Sequence, residues 1–151
     1  MVVIGASLVT GLVAAATVVA GEAYARFSVA AVVGPRATLA VRSQPAALVI
    51  SAADVTRGYL DVTTPTEVEV QSNTVEGYVL EFVSGLDGVT ALDVDGLDQP
   101  VRLAGDGGSV VGHWSSAQRT AHMTLHFRFT LSPSIRPGTY SWPLHLAATP
   151  L

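Results

Sequence analysis

Cysteine is absent from the 151 residues, and so is lysine, all eight basic residues being arginine. Without thiols there is no disulfide framework, no zinc–thiolate centre and no cysteine nucleophile, so the domain must stand on its core. Charged residues make up only 13% of the chain and the formal net charge is −4. No basic stripe runs along it, which argues against nucleic-acid binding, because nothing would neutralise a row of phosphates. Aromatic residues are sparse at 7%, with two tryptophans, Trp114 and Trp142. What the chain has in quantity is apolar: hydrophobic residues reach 49%. The abundance of Ala, Val and Gly, with Arg in place of Lys, reads as the imprint of a GC-rich genome.

Part of the apolar excess sits at the front. Val2 to Ala20 carry no charge and are rich in Val, Ala, Leu and Gly. Ala23-Tyr24-Ala25 then places small residues at the two positions a signal peptidase reads, so residues 1–25 are expected to be a signal peptide cleaved before Arg26. Val18-Val19-Ala20 is a second candidate site, and no basic residue precedes the apolar run. An uncleaved anchor is the alternative, since a run of that length just spans a bilayer. The remaining residues, 26–151, suffice for one domain.

That domain reads as all-β. From Ala121 to Leu131, Ala121, Met123, Leu125, Phe127, Phe129 and Leu131 alternate with His122, Thr124, His126, Arg128 and Thr130. Strict period two marks a strand with one buried face, because a helix would scatter these residues around its circumference. Tyr140, Trp142, Leu144, Leu146 and Ala148 repeat the pattern after the turn pair Pro137-Gly138. Pro143 has no N–H for a ladder, which places this last strand at an edge or a bulge. Shorter strands are expected over Phe27–Val33, Thr38–Val41, Ala47–Ile50, around Val68 and Val70, and over Tyr78–Val83. Asp87-Gly88, Asp95-Gly96 and Asp106-Gly107-Gly108 supply tight-turn chemistry between them. No stretch shows sustained helical periodicity. Short strands separated by turns predict an antiparallel β-sandwich or barrel.

No catalytic constellation emerges. His122 and His126 share a strand face, but four residues of strand span about 13 Å, too far to ligate one ion. Asp93, Asp95 and Asp98 miss the spacing of a helix–loop–helix calcium site and read as a hairpin tip. Ser, His and Asp are present without the context that activates a nucleophile. The expectation is a protein that is not an enzyme and needs neither cofactor nor metal. Trp142 falls on the predicted core face. Trp114, beside His113 and Ser115-Ser116, is ambiguous between filling the core rim and stacking on a ligand such as a sugar.

The alternating Phe27-Ser28-Val29-Ala30-Ala31-Val32-Val33 directly behind the signal segment, the central Val68-Glu69-Val70-Gln71-Ser72-Asn73 with Glu76-Gly77-Tyr78-Val79-Leu80, and the terminal Pro137-Gly138-Thr139-Tyr140 strand together resemble secreted proteins of the spore coat protein U type. Those are similar in turn to archaic chaperone–usher pilins. The resemblance implies an immunoglobulin-like sandwich lacking its last strand and completed by strand exchange with a neighbouring subunit. Phe27, Val29, Ala31 and Val33 would form the donor strand, and Trp142, Leu144 and Leu146 would line part of the acceptor groove. The implied partners are further copies or related subunits and a periplasmic chaperone, at the cell surface, in the periplasm or outside the cell. The membrane would be met only through the signal segment. A complete sandwich acting as a secreted binding module for a glycan or protein is the other reading. The partner of the strand after residue 25 decides between them.

Overall fold

Twelve consecutive residues, Thr120–Leu131, form the longest strand, and the alternation read from the sequence is its burial pattern: Leu125, Phe127, Phe129 and Leu131 are buried while His122, Thr124, His126 and Arg128 face out. The computed structural model describes residues 33–114 and 119–151. The expected signal segment and three of the four donor residues, Phe27, Val29 and Ala31, lie outside them. In chain order the elements are β1 (Ala37–Ser43), β2 (Ala47–Ile50), α1 (Ala52–Arg57), β3 (Tyr59–Asp61), β4 (Thr66–Ser72), β5 (Tyr78–Ser84) and β6 (Val89–Asp95). They continue with β7 (Val101–Ala104), β8 (Gly107–Gly112), β9 (Thr120–Leu131), β10 (Gly138–Ser141) and β11 (Leu144–Pro150).

All the pairings are antiparallel, in the order β1-β4-β9-β6-β7-β8-β5-β11, with β3 extending the line of β4 along β9 and a separate pair β10-β2. The result is an all-β sandwich-like fold. An immunoglobulin domain stacks strands A-B-E-D against C-F-G. Here β1-β4-β9-β6 stand in the order A-B-E-D and β5-β11 in the order C-F, each in the matching chain sequence. The hairpin β7-β8 bridges the two layers by pairing β6 on one side and β5 on the other. Beside β11, where G belongs, no strand pairs among the described residues.

The core lies between these layers. Val68, Val70, Leu92, Val94 and the apolar row of β9 face Tyr78, Leu80, Phe82 and Leu144. Phe82 meets Phe127 edge-on across the layers with ring centroids 6.4 Å apart, and Trp142 packs on Phe127 and Phe129 at 6.0 and 6.2 Å. Burying each such ring supplies roughly 1.5–3 kcal/mol.

Two elements were not legible in the sequence. No stretch shows sustained helical periodicity, and α1 is only a single capped turn and a half. Ser51 accepts a hydrogen bond from the Asp54 amide, and the Asp54 carboxylate accepts one from the Ser51 amide. Gly58, at φ +82°, closes the other end. Six residues are too few to display a 3.6-residue period, so only the caps announce it. The terminal strand, read as continuous from Thr139 to Ala148, is two strands in different sheets. The Trp142 amide still donates to Ala46 beside β2, whereas the Pro143 carbonyl accepts from Gly85 beside β5. Proline breaks the ladder there, and the chain changes layers without losing its facing: Trp142 and Leu144 stay buried and Leu146 half-buried.

Candidate functional site

The last strand, β11, pairs with β5 from Leu144↔Ser84 to Pro150↔Tyr78 and, among the described residues, with nothing on its other side. Pro143 predicts an edge or a bulge, and among the described residues β11 has a single partner strand. Its inward row begins with Trp142 (9% exposed) and Leu144, both core residues, and continues with Leu146 and Ala148, which are half-buried and packed against the core. Of the three expected groove residues, Trp142 and Leu144 are core residues and Leu146 is half-buried against the core. The Trp142 Nε1 is buried and has no hydrogen-bond partner.

Across the seam stands β1, whose Cα atoms come within 8 Å of β11 although no ladder joins the two. Its upstream end is fixed by one side chain. Asn73 accepts from the Arg36 amide at 2.7 Å and donates to the Gly34 carbonyl at 2.8 Å, and its own amide donates to the Arg36 carbonyl. Gly34 to Arg36 thus extend the β1–β4 ladder past its regular end. Val33, the one described member of the expected donor row, is 79% exposed.

A second opening lies among the start of β5, the turn between β6 and β7, the end of β8 and the start of β9. This cleft of about 670 Å³ is lined by Tyr78, Leu80, Val110 and Met123, with Asp98 and His113 among its polar groups. Burial pushes the Tyr78 hydroxyl's pKa up, and the Asp98 carboxylate adds to the shift. This cleft is not legible in the sequence, because its walls come from four segments that only the fold brings together.

The other candidates make the following contacts. Trp114 is half-buried, its ring against Tyr78 with centroids 4.7 Å apart and its Nε1 donating to the Thr74 carbonyl at 3.1 Å. That ring is engaged and does not line the cleft. His122 Nδ1 stands 3.8 Å from Glu69 on an outer face. Glu69 is held below the usual carboxylate range by hydrogen bonds from Arg42 and Gln71. Asp93 and Arg102 pair across the β6–β7 hairpin, and Asp61 pairs with Arg128, whose own pKa this raises. Asp95 accepts from the Gly96 amide at the hairpin tip, as turn chemistry predicts. Among the described residues no cluster of three or more His, Asp or Glu is arranged to hold a metal ion.

Comparison with known proteins adds no name to this geometry: no family model, curated protein or solved structure matches the chain.

Proposed function

We propose that the chain is a structural or adhesive subunit of an exported bacterial surface or filament assembly, joined to its neighbours by strand exchange. The observation that carries this reading is the edge of β11, in a strand order that corresponds to A-B-E-D and C-F with the G position unpaired among the described residues. An added strand would find backbone hydrogen bonds along β11 and an apolar row at Leu146 and Ala148, the two ingredients of strand addition. Phe27, Val29, Ala31 and Val33 supply alternate apolar side chains in one segment, as a donor requires. The resemblance to spore coat protein U and the archaic chaperone–usher pilins points the same way, and with it to related subunits and a periplasmic chaperone as partners.

Purified protein is expected to run as a ladder in cold detergent and as a monomer after boiling. Deleting residues 26–33 is expected to abolish the ladder. A monodisperse monomer from the full mature chain overturns the reading. Export is checked separately by mass spectrometry of the mature N-terminus, expected at Arg26.

The cleft beneath Tyr78 favours a second reading, a secreted binding module. It places the ligand between β8 and β9 rather than on Trp114, whose ring packs on Tyr78 and whose N–H donates to Thr74. A ligand there would perturb Tyr78 and Met123 resonances in an NMR titration and leave β11 untouched.

A further inference from the structure

Among the described residues the edge of β11 is unpaired, yet the seam beside it is not vacant, because β1 comes within 8 Å of it. Hydrogen-bonded strands sit about 4.8 Å apart, so a strand seated between two others needs roughly twice that, about 9.6 Å. Cα atoms of β1 and β11 already lie within 8 Å. An incoming strand therefore cannot enter while β1 holds this position.

β1 is held by its ladder to β4, from Ala37↔Ser72 to Ser43↔Glu67, whereas its side-chain hold on the core is slight. Its ladder to β4 slips register between Val41 and Ser43. Leu39 is its one large side chain packed against the core, Ala37 is half-buried, and Val41 is 41% exposed. Near its C-terminal end a single ion pair, Arg42 to Glu69 at 2.6 Å, clamps it, with the arginine largely in solvent. The Glu69 carboxylate is itself buried and also accepts from Gln71.

We propose that β1 is a place-holder, and that assembly displaces it from the seam instead of filling an empty groove. The occupant is the segment Phe27–Val33 of a second copy, so this inference rests on the strand-exchange reading above. The argument for that occupant is one of side chains and connection. Ala37, Leu39 and Val41 offer the seam one large side chain, whereas Phe27, Val29, Ala31 and Val33 offer a ring and two valines at the same spacing. The described chain begins at exposed Val33 and reaches β1 only through Gly34-Pro35-Arg36, pinned by Asn73. Donor and place-holder are thus neighbours in one chain, competing for one kind of site. The isolated subunit keeps its apolar seam covered, and a copy that offers the better strand exchanges into it.

The test uses freshly refolded monomeric full chain and a labelled synthetic peptide of residues 26–33. Binding is followed by fluorescence anisotropy and backbone exposure by hydrogen exchange. The expected result is peptide binding with slower exchange over residues 144–150 and faster exchange over residues 38–43. Leu39→Ser, which weakens the hold of β1, is expected to speed association about tenfold, equivalent to a small side-chain contact. Arg42→Ala leaves every apolar contact intact and is expected to speed it about twofold to threefold. Binding with unchanged or slowed exchange over 38–43 overturns the place-holder and leaves strand exchange standing. Absence of peptide binding to the monomer and to both variants removes both.

Discussion

Phe129 is fully buried where three strands meet, opposite Leu60 of β3 and Leu92 of β6, with Trp142 edge-on above it. A ring so enclosed leaves a cavity when removed, and Phe129→Ala is expected to lower stability by about 3–5 kcal/mol, read as a shift in urea midpoint. Thr66 makes the opposite case. It has no exposed surface and its Oγ1 has no partner, so Thr66→Val exchanges an unsatisfied hydroxyl for a methyl of the same shape. That change is expected to raise stability by about 1 kcal/mol, and a lower midpoint would reveal a partner for the hydroxyl. Gly107, at φ +118°, has no room for a side chain, since a Cβ there would lie 1.9 Å from the Phe82 carbonyl oxygen. At this scale the sequence was legible wherever alternation alone sets burial, as along β9. It was silent on Trp114, because the Thr74 carbonyl that takes its N–H lies 40 residues away.

Among the elements, α1 shows how much local chemistry a short segment needs. Its six residues owe their helix to the Ser51–Asp54 box and to Gly58, and Ser51→Ala is expected to lower stability by about 1 kcal/mol. The Asp54 carboxyl is held below the ordinary range by the Ser51 hydroxyl and amide, with Arg57 adding to the effect. A depressed folded pKa means that the stabilisation is full above the unfolded value, near 4, and is lost as pH falls through the folded one. Stability is therefore expected to decline below about pH 4–5, and Asp54→Asn to flatten that acid limb in urea titrations across pH. Glu69 acts in the same direction through Arg42 and Gln71. The terminal segment marks the limit of element-level reading. Period two gave the facing of Trp142, Leu144 and Leu146, but facing is common to both layers. Only the tertiary partners, Ala46 before the proline and Gly85 after it, say that the strand changes sheets.

For the whole molecule the distribution of charge separates two kinds of contact. The outer face of β4, β9 and β6 carries the ion pairs Arg42–Glu69, Asp61–Arg128 and Asp93–Arg102. Where β1 and β11 approach each other, Leu39 of β1 and Leu146 and Ala148 of β11 are apolar and packed against the core. Strand exchange through that seam would rest on backbone hydrogen bonds and apolar burial, neither of which salt screens. At 1 M salt the screening length falls to about 3 Å, which removes most of the attraction between exposed charges. Ladders once formed are therefore expected to survive 1 M sodium chloride unchanged. The same salt weakens the Arg42–Glu69 clamp on β1, so ladder formation from monomer is expected to accelerate by about twofold to threefold over its rate in dilute buffer. Arg42→Ala should remove that acceleration, because its β1 is already unclamped. Ladders that dissolve in salt would instead assign subunit contact to the charged face, and sizing chromatography across a salt series distinguishes the two.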